Sequence, residues 1–188
     1  MAEIRTIAVI GAGAVGRGIA FAAALGGYRT ILEDILPSSL RTAAAELREH
    51  LSRATDLGAV SKPEALAAFN RLEYAATVEH AAREADLVIE AAPDELESKI
   101  EIFTLLDKIC KPQTILVSNT TVLSVSDIAS VTYRAAKIAG MRFGNPASSS
   151  KTLQIVRAQL TDGETIAACA EVGKRMGKQV TVIAESDL

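Results

Sequence analysis

Three closely spaced glycines near the start of the chain are the first candidates for a chemical role. They are Gly11, Gly13 and Gly16. The apolar run 7–10 before them predicts a buried strand, and small apolar residues in a helical pattern follow directly. In such a turn the first glycine allows a tight bend, the second lets a pyrophosphate approach the backbone, and the third lets the helix pack against the strand. Around Ala14 and Val15 the free N–H groups of the helix start would then face the phosphates.

An acidic residue follows at the distance that a dinucleotide site requires. Asp34 directly follows the second predicted strand, 28–33, roughly 20 residues beyond the glycines. A carboxylate there can accept hydrogen bonds from an adenosine ribose, although Asp34 could instead only begin a turn before Pro37. Since Glu33 beside it would repel a 2′-phosphate and no arginine is placed to bind one, the residues favour NAD over NADP.

The composition is that of one soluble globular domain, predicted over residues 1–188. Its 188 residues can bury a core without a disulfide or metal, and we predict no metal site. The net charge of -3 and the aromatic content of 4% give no footprint for nucleic acid. Cys110 and Cys169 lie in helical patterns and are predicted to be buried thiols. With no apolar leader and no run long enough to cross a bilayer, we expect a cytoplasmic protein without a membrane partner.

Strands and helices alternate along the rest of the chain. Further strands are predicted at 72–75, 86–90, 114–117, 137–143, 153–157 and 179–183. Helical patterns cover 37–54, 61–70, 77–84, 93–110, 125–129 and 161–175. The predicted caps are Ser38 or Ser39, Ser61 and Thr161. This order predicts an α/β fold, a doubly wound and mainly parallel sheet of the Rossmann type, whose ligands bind beyond the carboxyl ends of the strands.

Five stretches together resemble the NAD-binding N-terminal domain of the 3-hydroxyacyl-CoA dehydrogenases. They are 11–20, 27–34, 85–99, 118–121 and 140–146. The resemblance implies NAD as the cofactor and a small-molecule substrate such as an acyl-CoA, and it allows for a homo-oligomer. The family's helical C-terminal domain would lie beyond Leu188, so we expect this chain to be without it.

The resemblance also implies roles for individual residues. Gly11, Gly13, Gly16 and Asp34 would hold the adenosine half of NAD. The ribose and nicotinamide end would be lined by Ala91, Ala92, Lys99, Ser118, Asn119 and Asn145. From residue type alone, Lys99 is better explained as an exposed helix lysine, and Ser118 and Asn119 could form a plain turn. Their place after a strand favours a functional role for the last two, which we predict to take part in catalysis.

The chain departs from the family at the catalytic positions. Family members oxidise the hydroxyl with a histidine as base, held by a glutamate; those places are occupied here by Arg142 and Gln154. Arginine, with a pKa above about 12, stays protonated and cannot act as a base near neutral pH. The remaining histidines, His50 and His80, lie in helical patterns away from the strand ends.

Three hypotheses follow. In the first, the domain binds NAD but its activity on 3-hydroxyacyl-CoA is lost or weak. In the second, Arg142 binds an anionic hydroxy substrate while Lys99 or a water relay accepts the proton. In the third, the chain is a binding or interaction module without catalysis. The polar run 147–150, where the family has an apolar segment, also favours an altered substrate.

Overall fold

The computed structural model describes residues 3–187, which build one eight-stranded sheet in the order β3-β2-β1-β4-β5-β6-β7-β8. The strands are β1 (Thr6–Ile10), β2 (Arg29–Glu33), β3 (Leu72–Ala75), β4 (Leu87–Glu90), β5 (Ile115–Ser118), β6 (Ile138–Phe143), β7 (Thr152–Arg157) and β8 (Gln179–Ala184). All neighbours pair in parallel except β6 and β7, which are antiparallel. The predicted doubly wound, mainly parallel α/β fold is confirmed.

In the described part of the chain, seven α-helices cover the two faces of this sheet. They are α1 (Ala14–Leu25), α2 (Pro37–Asp56), α3 (Lys62–Phe69), α4 (Val78–Ala82), α5 (Leu96–Ile109), α6 (Val125–Ser130) and α7 (Gly163–Arg175). One core joins the sheet to α1, α2, α3 and α7, and a second joins the opposite face to α4, α5 and α6. Because both faces are covered, every residue of the central strands β1, β4 and β5 is buried, as their continuous apolar runs predict.

Two predicted helix caps are wrong and one is confirmed. The N-cap of α2 is Leu36, before Ser38 and Ser39, because Pro37 takes the first helical position. Asp162 caps α7, since the Thr161 hydroxyl is already bonded to the Ile138 carbonyl. Ser61 caps α3 in a reciprocal capping box with Glu64, as the Ser-x-x-Glu spacing predicts.

The two cysteines are buried and unpaired, as predicted. Burial raises the pKa of the Cys110 thiol to about 11 and that of Cys169 to about 12, so both stay protonated near neutral pH. Between residues 3 and 187, none of the helices combines the length and the apolar character that crossing a membrane would take.

Candidate cofactor and substrate site

The glycine turn joins β1 to α1 and is shaped by close backbone packing. Gly11 has φ +100°, which favours glycine, and a Cβ there would lie 3.0 Å from the Ala91 carbonyl oxygen. A Cβ on Gly16 would overlap the Gly11 carbonyl oxygen. A Cβ on Gly13, by contrast, would meet no heavy atom within 4 Å. The space in front of Gly13 is therefore open, as the approach of a pyrophosphate requires.

The first turn of α1 borders the same open space. Gly13 is its N-cap, and Ala14 and Val15 are exposed. The N–H groups of a first helical turn have no partner within their helix, and they carry the positive end of its dipole. These residues fit a bound NAD phosphate without rearrangement of the turn.

Asp34 lies beside the turn, just after β2. Its Oδ2 accepts a hydrogen bond from the Ala12 N–H at 3.0 Å, and its Oδ1 accepts one from the Leu36 N–H at 2.9 Å. Asp34 thus begins the turn before Pro37 and also faces the glycines, so the two interpretations of this residue are compatible. Each carboxylate oxygen has a second lone pair that a ribose hydroxyl can use.

Glu33, the last residue of β2, is only 4% exposed. Burial first, and then the nearby carboxylates of Asp34 and Glu79, together raise its pKa to about 7 against a smaller opposing effect of the Gly11 backbone. A second negative charge therefore stands behind Asp34 above neutral pH. This arrangement is unfavourable for a 2′-phosphate and agrees with the preference for NAD.

The ends of β4 and β5 meet at a buried ionic cluster of Glu90, Lys99 and Ser118. Lys99 Nζ lies 2.7 Å from Glu90 Oε1 and 2.8 Å from Oε2, and neither side chain has any exposed surface. The Ser118 hydroxyl donates to Glu90 Oε2 at 2.6 Å, and the Ala92 N–H donates to Oε1 at 2.7 Å. The cluster holds the ends of β4 and β5 and the first turn of α5 together.

This cluster changes two interpretations of Lys99. The expectation of an exposed helix lysine is wrong, because Lys99 lies on the inner face of α5 with its charge paired. It also donates to the Ala92 carbonyl oxygen at 3.1 Å, so its ammonium group is already bound by Glu90 and Ala92. A lysine that donates to three oxygens has no lone pair with which to accept a substrate proton.

Asn119 and Asn145 stand at the ends of neighbouring strands. Asn119 Oδ1 accepts a hydrogen bond from the Phe143 N–H at 3.1 Å and so links the end of β5 to that of β6. Asn145 is exposed in the turn between β6 and β7. The structure thus brings Ala92, Ser118 and Asn119 together around one strand edge, next to the glycine turn. Their contacts with a cofactor remain predictions.

Arg142 and Gln154 are directly opposite each other on β6 and β7. Within residues 3–187 no hydrogen bond joins their side chains; Arg142 Nε donates instead to the Thr120 carbonyl oxygen at 2.8 Å. The positions that we matched to the catalytic histidine and glutamate are therefore cross-strand neighbours, as such a pair needs. Their present occupants supply neither an imidazole nor a carboxylate.

The two histidines lie elsewhere in the fold, away from Arg142. The His50 ring packs edge-on against Phe21, with 6.0 Å between the ring centroids, and so lies between α2 and α1. His80 lies in the first turn of α4, where its N–H is bonded to Thr77. Neither lines the cleft that Arg142 borders.

Glu90 and Thr120 belong to the site without having been predicted from the sequence. The role of Glu90 could have been found in the sequence. An acidic residue at the end of an apolar strand needs a partner when it is buried, and Lys99 follows on the next helix. The role of Thr120 could not have been found in this way, since it acts through its backbone carbonyl, which every residue has.

The glycine turn, the acidic residue after β2 and the parallel sheet define a dinucleotide-binding domain. A family model described as the NAD binding domain of 3-hydroxyacyl-CoA dehydrogenase matches residues 6–186. The chain belongs to this family, whose cofactor is NAD.

Individual relatives agree with this assignment. Over 176 residues the chain is 37% identical to a probable 3-hydroxybutyryl-CoA dehydrogenase of Bacillus subtilis. The matched region covers 94% of the chain and 61% of that relative. It is 35% identical to the 3-hydroxyadipyl-CoA dehydrogenase of Escherichia coli, covering 95% of the chain and 38% of the relative. A crystal structure of 3-hydroxybutyryl-CoA dehydrogenase from Escherichia coli superposes with a TM-score of 0.94 at 32% identity, over 97% of this chain and 39% of that one. The chain thus spans between 38% and 61% of the length of these proteins.

Proposed function

We propose that this domain binds NAD in the manner of its family but oxidises 3-hydroxyacyl-CoA weakly or not at all. The observation that supports the proposal most directly is the cross-strand pair of Arg142 and Gln154. The family relationship supports a role in acyl-CoA metabolism. The altered pair makes it a binding domain without the ordinary proton acceptor.

The physical reason lies in where the hydroxyl proton must go. Bound NAD accepts a hydride from the carbinol carbon, and a base within hydrogen-bond reach must take the proton as the carbonyl forms. The guanidinium of Arg142 is permanently protonated, and Gln154 has no charge to stabilise an imidazolium. Lys99 is occupied by Glu90 and Ala92.

A positioned base typically contributes 10²–10⁴-fold to the rate, or about 3–5 kcal/mol of barrier. We therefore expect calorimetry to show binding of NAD to the full chain, while NADH absorbance with 3-hydroxybutyryl-CoA rises at least about 100-fold more slowly than with an active family member. NADH formation at ordinary dehydrogenase rates would refute the loss of activity. Failure to bind NAD would refute the proposal as a whole.

The matched variant is the double substitution Arg142→His with Gln154→Glu, compared with each single substitution. The base and its partner act as a unit, because the glutamate fixes the imidazole tautomer and stabilises its charge. If the opposed positions on β6 and β7 are still shaped for catalysis, we expect the double variant to gain more NADH-forming activity than the two single variants together. The unchanged chain serves as the baseline.

A further inference from the structure

Ala12, between the first two glycines of the turn, is held at both of its backbone polar groups by side chains. Its N–H donates to Asp34 Oδ2 at 3.0 Å, and its carbonyl oxygen accepts a hydrogen bond from Arg17 Nη1 at 2.8 Å. The first contact involves the residue predicted to bind the adenosine ribose. The second comes from the end of the first turn of α1 and ties this helix back to the turn that precedes it.

Arg17 is in turn held by Glu46 on α2. Its Nε lies 2.8 Å from Glu46 Oε2, and the two side chains are 18% and 39% exposed. The N–H at Nε has no aligned acceptor in the described residues, so this contact is an ion pair rather than a directed hydrogen bond. The guanidinium therefore joins α2, α1 and the glycine turn, and its charge is already balanced by a carboxylate.

The contact with Ala12 also sets the direction of the next backbone N–H. The peptide bond between Ala12 and Gly13 is trans, so its C=O and its N–H point in opposite directions. Because the Ala12 carbonyl faces Arg17, the Gly13 N–H points away from it. Between residues 3 and 187 this N–H has no backbone acceptor, and the space in front of Gly13 is open. Arg17 thus presents a free donor at the residue where a pyrophosphate would approach.

We infer that Arg17 and Glu46 form a clamp that holds the glycine turn in the conformation that receives the phosphates of NAD. Arg17 is a positioning residue, because it acts through the Ala12 carbonyl, and Glu46 fixes Arg17. Glycines on both sides of Ala12 make this backbone flexible, and ordering it on binding costs conformational entropy. A turn that is fixed in advance binds its ligand more tightly. The inference rests on the proposed function, because it concerns how the domain binds NAD.

One substitution separates the clamp from a direct attraction between Arg17 and the phosphates. If Arg17 acted on NAD by its charge, removal of Glu46 would free that charge and strengthen the binding of NAD. If Glu46 holds Arg17 in place, its removal loosens the guanidinium and weakens the binding. We therefore expect Glu46→Ala to weaken NAD binding about threefold, as the loss of a half-exposed ion pair predicts.

The experiment is a calorimetric titration of the full chain with NAD, in the wild type and in variants of both residues. We expect Arg17→Met to weaken the affinity about tenfold, since it removes the charge-assisted hydrogen bond to Ala12. Arg17→Lys should recover only part of this loss, because an ammonium lacks the rigid fork that contacts Ala12 and Glu46 together. The double variant Arg17→Met with Glu46→Ala should bind NAD like Arg17→Met alone, because Glu46 acts only through Arg17.

The controls are Arg53→Met and Glu49→Ala. They break an exposed ion pair of the same length, 2.8 Å, within α2, and change the net charge in the same way. Both should bind NAD like the wild type. Amide hydrogen exchange of the NAD-free chain is a second measurement: the Ala12 N–H, which is bonded to Asp34, should exchange at least about threefold faster in Arg17→Met. Circular dichroism verifies that each variant is folded.

Each outcome decides the inference. Stronger binding of NAD by Glu46→Ala would overturn the clamp in favour of direct charge attraction. Unchanged affinity in Arg17→Met, with NAD bound by the wild type, would overturn the clamp and leave the proposed function standing. If the wild type does not bind NAD, the proposed function fails; faster exchange at Ala12 in Arg17→Met would then still establish that Arg17 holds the turn, whereas equal exchange would refute this as well.

Discussion

Glu90 and Lys99 form an ion pair in the interior of the protein, with 2.7 Å between Lys99 Nζ and Glu90 Oε1 and no exposed surface on either side chain. Burying two charges costs desolvation free energy, which only good geometry and further hydrogen bonds offset. Those further bonds come from Ser118 and from the backbone of Ala92. The pair therefore joins β4, β5 and α5 at the edge where the cofactor is expected.

Removal of one partner should be costly. Lys99→Met leaves the Glu90 carboxylate buried without a cation, and we expect the free energy of unfolding to fall by about 3–5 kcal/mol in urea titrations at neutral pH. Lys108→Met, on the exposed face of α5, should change it by less than about 0.5 kcal/mol. Adding Glu90→Gln to Lys99→Met should recover part of the loss. If Lys99→Met lowered the free energy of unfolding by less than about 1 kcal/mol, the pair would not be needed for stability.

Alanine substitution should affect mainly stability at Gly16 and mainly NAD affinity at Gly13. Gly16→Ala would force a Cβ into the Gly11 carbonyl, so we expect a loss of about 1–3 kcal/mol in unfolding free energy. Gly13→Ala places its methyl in open space and should cost less than about 1 kcal/mol. The same methyl would stand where the pyrophosphate approaches, so affinity for NAD should fall at least about tenfold. Unchanged NAD affinity in Gly13→Ala would place the phosphates elsewhere.

Asp34→Asn tests the ribose site. The amide keeps an oxygen for one backbone N–H but loses the charge and half of the acceptor capacity. We expect NAD affinity to fall about 10- to 100-fold in calorimetry, as the loss of a hydrogen bond to a charged group predicts. Asp56→Asn, at the exposed end of α2, is the control and should bind NAD like the wild type. Equal affinity in both variants would contradict the assignment of Asp34.

The sheet could be predicted from the sequence because its evidence is local. The apolar runs of β1 and β4 and the Ser-x-x-Glu cap of α3 depend only on neighbouring residues. The prediction that Thr161 caps α7 was wrong because its hydroxyl donates to the carbonyl of Ile138, a residue distant in sequence.

The outline of the candidate site was also predictable, because its motifs depend on neighbouring residues. Its electrostatics were not predictable. The resemblance located Arg142 and Gln154, but the burial of Lys99 depends on Glu90 from another element. The ion pair of Arg17 depends on how α1 packs against α2. Long-range pairings of this kind leave no periodic pattern in the sequence.

Glu33 should make the stability of the fold depend on pH. Its pKa is raised from 4.5 to about 7 in the folded chain, so the native state binds more protons than the unfolded state between these values. Its contribution is therefore fully present below about pH 4.5 and is lost as the pH rises through about 7, by at most about 3 kcal/mol. Glu33→Gln removes the charge and should be more stable than wild type at pH 8 by about 1–3 kcal/mol, with the difference shrinking toward pH 5. Urea unfolding across this range measures it, with the exposed Glu84→Gln as control. If wild type and Glu33→Gln kept a constant difference from pH 5 to pH 8, the carboxyl would be ionised throughout, and the second negative charge behind Asp34 would persist at acidic pH.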